Sequence, residues 1–243
     1  MSSPSPLSKA TQLCRGRSEE LRQTLLSGGG SFWFWLTLIW IAGGIYGFTI
    51  GIGRSPLQAG YTAIKFPMIL TGIIYGNALL NALIASLLNI PLQFRQTLQV
   101  MSMCFALFTL ILAALSPVFL FFTWNLPDLS SPDNTITYSA FLLFHVCLIA
   151  FAGCAAHLRL FQLTTHLCGD AQRARWVLIL WLSGNLLLGS QLSWNLRPFF
   201  GSPELPVQFF RPNAFERNFF EAVDLHVQHL INPNPPRETH HEQ

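Results

Sequence analysis

Hydrophobic positions along this chain gather into five long runs that contain no Asp, Glu, Lys or Arg: residues 23–53, 66–94, 96–127, 134–158 and 176–196. These runs are 31, 29, 32, 25 and 21 residues long. A hydrocarbon core about 30 Å thick is crossed by about 20 apolar residues in a helix, so each run is long enough to span it. Peptide groups in lipid satisfy one another only within helices or closed barrels, and runs of this length select the helix. The pattern predicts spans over about 32–53, 66–90, 97–123, 136–158 and 176–196. The expected fold class is all-α: a polytopic transmembrane helical bundle of about five spans, with a C-terminal interfacial amphipathic helix.

The segments between and beyond the runs divide the chain further. Residues 1–31 read as a cytoplasmic tail, partly disordered or interfacial. Its Ser/Pro-rich start cannot bury a core. Leu13, Leu21, Leu25 and Leu26 then lie among Lys9, Arg15, Arg17 and Arg22, as in short helices on a lipid surface. Gly28, Gly29 and Gly30 form a joint before the first span. No cleavable leader is expected, because hydrophobicity begins near Phe32 and the first run is long enough to stay as an anchor. Residues 32–197 form the membrane domain and 198–231 a Pro-rich interfacial segment with an amphipathic helix; 232–243 form a disordered tail. Pro198, Pro203, Pro206 and Pro212 exclude a regular sixth span. The last helix is expected to begin at Asn213, with Glu216 placed for a capping box. Phe215, Phe219, Val223, Val227 and Leu230 share its apolar face, opposite Glu221, Asp224 and Gln228.

Composition agrees: 51% of residues are hydrophobic, 10% are charged, and mean hydropathy is +0.41. A soluble domain carries about 25% charged residues. Trp33 and Trp35 open the first span, Trp124 closes the third, and Trp176 and Trp194 bracket the fifth. Indole rings favour the headgroup boundary. Placing the tail and the second and fourth loops inside collects eight basic residues there against six outside. The positive-inside rule then implies an inner-membrane topology with the N-terminus in and the C-terminus out. Arg54 and Lys65, assigned to the first outer loop, oppose it.

A net charge of +3, spread over the connecting segments, leaves no nucleic-acid footprint. The expected partners are the lipid bilayer and either a second copy of the chain or other membrane proteins. Gly43, Gly47 and Gly51 repeat at four-residue spacing in the first span, as Gly72 and Gly76 do in the second. Small residues at this spacing let helices approach closely where lipid removes the hydrophobic drive to associate. Packing within one subunit is the first reading of the stripes and oligomer contact the second.

Asn77 and Asn81 share a face of the second span, Asn185 lies inside the fifth, and Gln191 lies towards the fifth's outer end. Amides in hydrocarbon need partners, so they either bond across helices or line a polar route. His145 sits two residues before Cys147, a spacing that points them to opposite helix faces and argues against a shared metal. No metal, cofactor or catalytic set is expected. Cys104, Cys147 and Cys154 read as small apolar residues, and Cys14 and Cys168 as cytoplasmic thiols outside any disulfide. No Asp or Glu falls inside a span, whereas ion-coupled carriers place such groups on their pathways.

The run Gly189-Ser190-Gln191-Leu192-Ser193-Trp194-Asn195-Leu196-Arg197-Pro198-Phe199 is followed by Phe210-Arg211-Pro212 and Asn218-Phe219-Phe220-Glu221-Ala222-Val223. With Gly76-Asn77-Ala78-Leu79-Leu80-Asn81 and Ser116-Pro117, it resembles a family of uncharacterised bacterial polytopic membrane proteins. Trp194, Arg197, Pro198 and Arg211 carry this interfacial motif. The chain is also similar in architecture to Yip-type five-span membrane proteins, through span count, cytoplasmic tail and the entry Gly60-Tyr61 to Lys65-Phe66-Pro67. These resemblances imply a helical membrane fold and bring no activity with them. The function expected is a non-enzymatic scaffold, assembly or membrane-organising component; the alternative is a channel or small-solute transporter using the polar faces of spans two and five.

The chain is expected to stay with the membrane pellet in alkaline carbonate and to become monodisperse only in detergent. A folded, monodisperse species in plain buffer overturns the membrane reading.

Overall fold

Residues 6–15, 31–87, 94–125, 135–168, 171–196, 207–209 and 219–231 are described by the computed structural model, and their regular structure is entirely helical. In chain order the helices are α1 (Pro6–Arg15), α2 (Ser31–Ile52), α3 (Pro56–Leu87), α4 (Phe94–Asn125), α5 (Thr135–Cys168), α6 (Ala171–Leu196) and α7 (Phe219–Ile231). Among the described residues, four stretches are long and apolar enough to cross a bilayer: Phe32–Ile52, Pro56–Leu83, Phe94–Asn125 and Ser139–Arg159. This is the make-up of a multi-pass membrane protein. Helix α6 covers the expected fifth span but is not among the four. Ser183, Asn185, Ser190, Gln191 and Ser193 make it the least apolar of the long helices.

The second span starts a full ten residues before the expected position 66. Ser55 caps α3 by accepting the Gln58 amide at 3.1 Å, and Pro56 takes the first helical position, where its missing N–H costs nothing. The loop after α2 therefore shrinks to Gly53–Ser55, closed by the Arg54 and Ser55 amides on the Gly51 carbonyl at 3.1 and 3.3 Å. Lys65 is consequently not a loop residue. It lies more than two turns inside α3 and is only 3% exposed. Ending the span at the first charge fails here because a long ammonium side chain can run along a helix to a polar partner. Helix α5 likewise continues past its expected end at 158, through the exposed Arg159, to Cys168.

Helices α2 and α3 meet along the first glycine stripe. A Cβ on Gly47 would stand 2.5 Å from the Thr62 carbonyl oxygen, and one on Gly51 would stand 2.6 Å from the Ala59 Cα. Gly43 is looser, with Phe66, Pro67 and Thr109 each at 3.5 Å. The stripe thus packs within the chain. The second stripe faces α6, with Leu192 at 3.4 Å from the Gly72 position and Leu188 at 3.0 Å from that of Gly76.

Helix α4 is the central element. Every residue from Gln99 to Thr109 is buried, the mark of a helix covered on all sides. Its hydroxyls turn back to their own helix: Ser102 bonds the Leu98 carbonyl at 2.6 Å and Thr109 bonds those of Phe105 and Ala106 at 3.0 Å. Leu13 of α1 joins the core rather than resting on lipid, and α1 touches α4. At the other end of the chain, α7 packs on α5 and α6, with Phe219 and Val223 half-buried and Glu221, Asp224 and Gln228 exposed. The tail joint at Gly28–Gly30, the expected helix start at Asn213 and the cap at Glu216 lie outside the described residues.

Two outcomes follow. A Cβ on Gly53 would meet Thr123 Cγ2 at 2.6 Å, so the α2–α3 turn and the end of α4 share one side. Single cysteines replacing Arg54 and Asn125 in a cysteine-free background should be labelled from the same side of sealed vesicles, and one replacing Phe94 from the other. Gly47→Leu should lower the melting temperature in detergent through overpacking worth about 1–3 kcal/mol, whereas Gly60→Ala, with nothing within 4 Å, should leave it unchanged.

Candidate functional site

Among the described residues, polar side chains of the bundle meet groups distant in sequence at three places. The first joins α2 and α5. The Tyr46 hydroxyl and His145 Nε2 lie 3.4 Å apart, and their rings stack at 5.4 Å with an 11° interplanar angle. Phe119 of α4 stands edge-on to the imidazole at 4.2 Å, and Phe66 of α3 lies 5.2 Å from Tyr46. His145 is thus a polar pin in an aromatic core. Cys147 is exposed. Among the described residues no group of three or more His, Cys, Asp or Glu is placed to hold a metal.

The second joins α3, α6 and α5. Asn77 Nδ2 donates to Asn185 Oδ1. Asn185 Nδ2 lies 3.0 Å from His157 Nε2, and His157 Nδ1 lies 2.8 Å from the Gly153 carbonyl oxygen. A carbonyl only accepts, so Nδ1 carries the proton; Nε2 is then an acceptor for the Asn185 amide. The three bonds run in one direction, from Asn77 on α3 to the backbone of α5. Gly184 makes room for this arrangement, because a Cβ there would collide with Asn77 Oδ1 and stand 3.2 Å from its Cγ.

Of the residues singled out by sequence, Asn77 and Asn185 are brought together. Asn81, 4% exposed, lies one turn from Asn77, and its Nδ2 meets no hydrogen-bond partner among the described residues. Gln191 is exposed and Trp194 half-buried on α6. Arg197, Pro198 and Arg211 lie outside the described residues. His157 was missed: it sits at the end of a charge-free run beside Arg159 and looks like a boundary residue. Its signal is Gly153 four residues earlier, where a histidine Nδ1 can reach back to a carbonyl one turn away.

The third place is Lys65. Its Nζ donates to the Gln208 carbonyl at 3.5 Å and lies 4.9 Å from the centroid of Phe209, which also meets Tyr61 edge-on at 5.3 Å. Gln208 and Phe209 therefore lie against α3 and cover the ammonium with a carbonyl dipole and a π face.

Comparison with protein-family models, curated proteins and solved structures yields no match.

Asn77→Leu and Asn185→Leu should each lower the melting temperature, since interhelical polar bonds contribute about 0.6–2 kcal/mol. The double variant should cost less than the two singles added, because the Asn77–Asn185 bond is lost in each single. Additive losses would show that the two amides act separately.

Proposed function

We propose that this chain is an integral membrane scaffold, assembly or membrane-organising component, without catalysis of its own and without a cofactor. The observation that carries this reading is the use made of the interior polar groups. Asn77, Asn185 and His157 bond across three helices, and Tyr46 with His145 across two. Such bonds hold helices together rather than line an open route. The outward faces of the bundle and its end segments are then the parts available to partners. In this reading α6 is the fifth crossing, α7 lies at the interface, and the N-terminus faces the cytoplasm of a bacterial cell with the C-terminus outside. The 189–199 motif and its neighbours support membership of the bacterial polytopic family that they resemble.

Affinity purification in mild detergent, with prior cross-linking, tests the proposal. The expected result is a retained membrane protein, second copy or lipid. A lone monomer carrying nothing overturns it. The rival channel reading is checked in proteoliposomes: solute flux that disappears in Asn77→Leu would replace the scaffold with a transporter.

A further inference from the structure

Helix α5 carries the least covered of the four apolar spans: 28% of it is buried inside the chain, against 50, 50 and 44% for the others. Its inward face is set by Phe141, His145, Ala152 and Ala156, all buried. The opposite face carries Ala140, Phe144, Cys147, Phe151, Cys154 and Leu158, all exposed with α7 already packed on the helix. From Phe144 onward these positions alternate three and four residues apart, the heptad spacing of a left-handed helix pair. They also alternate in size. Ala140, Cys147 and Cys154 make thin layers seven residues apart, where two backbones can close up. Phe144, Phe151 and Leu158 make broad layers between and beyond them. Phe144 is steadied from α4, its ring 5.5 Å from those of Phe119 and Phe122. Lipid chains ask only for an apolar surface and impose no register; a second helix does. From position 140 to 158 the seam rises about 27 Å, close to the full thickness of the hydrocarbon core.

We propose that this face of α5 is the contact between two copies of the chain, related by a two-fold axis along the membrane normal. Copies inserted in one orientation pair α5 with α5 in parallel, so each seam residue meets its own counterpart. Each Phe ring then packs on the same ring of the second copy, and each thiol faces the same thiol. Phe144, Phe151 and Leu158 are 37, 60 and 68% exposed. With the thin layers and the flanking Ile136 and Ala150, also exposed, they offer roughly 500 Å² per copy, and a specific pair needs about 1,000 Å² in total. The proposal names one partner for the scaffold reading and rests on that reading only for the bundle's place in the bilayer.

The full chain in membranes isolated from expressing cells tests this through its own thiols. Variants keeping only Cys147 or only Cys154 should form disulfide-linked dimers on oxidation by copper phenanthroline and dissolved oxygen. Their yield should be several times that of Phe48→Cys in a cysteine-free background. Phe48 is exposed on α2, so that variant reports chance collision. Phe151→Ala should weaken the dimer about tenfold, or about 1.4 kcal/mol, in energy transfer between labelled copies diluted in lipid. The melting temperature of its detergent-dispersed monomer should be unchanged, because the side chain faces outward there. Yields at Cys147 and Cys154 no higher than at Phe48→Cys, or a dimer indifferent to Phe151→Ala, overturn the proposal. A monomer that still retains another membrane protein in affinity purification would sink this contact and leave the scaffold reading. An intact α5 dimer whose solute flux disappears in Asn77→Leu would do the reverse.

Discussion

In a medium without water each polar group must find its partner inside the protein, and most features of this bundle answer that demand. Backbone groups are satisfied along the helices. Several hydroxyls are satisfied on their own helix, as with Thr62 on the Gln58 carbonyl at 2.8 Å and Thr71 on the Pro67 carbonyl at 2.8 Å. Groups too long or too polar for that reach a second helix, and so become the cross-links of the bundle. Asn77, Asn185 and His157 tie α3, α6 and α5 together, and Tyr46 with His145 ties α2 to α5.

These bonds form only because the helices approach closely. Gly47 and Gly51 bring the backbone of α2 against that of α3, which sets Tyr46 beside Phe66 and, through it, beside Phe119 and His145. Gly184 does the corresponding work for α6, where the Asn77 amide takes the place of a side chain. Dispersion and interhelical polar bonds, rather than hydrophobic exclusion, are what hold helices together in lipid. Glycines that permit contact and amides that use it are therefore one device.

The ends of the chain extend this economy of polar groups beyond the spans. Leu13 of α1 reaches the core at α4. Gln208 and Phe209 return to α3, where they shelter the Lys65 ammonium. A lysine inside a spanning helix is costly and needs such company. Leu13, Gln208 and Phe209, which lie in segments that look like appendages in the sequence, are parts of the folded unit.

The long uncharged runs, the helical class and the closeness implied by the glycine stripes were all readable from the residues alone, because each follows from local energetics: charge is expensive in lipid, and a missing side chain is visible without knowing the neighbour. The pairing of Asn77 with Asn185 was out of reach, since an amide states a need for a partner without naming it. The same holds for His157, which reads as a boundary residue until Asn185 is seen against it. Lys65 was misplaced for a related reason. Its position in a helix is local, set by Ser55 and Pro56, but its burial depends on a segment 143 residues away. Residues determine what each position requires; only the assembled bundle decides which distant group supplies it, because that choice is made by the mutual approach of several helices at once.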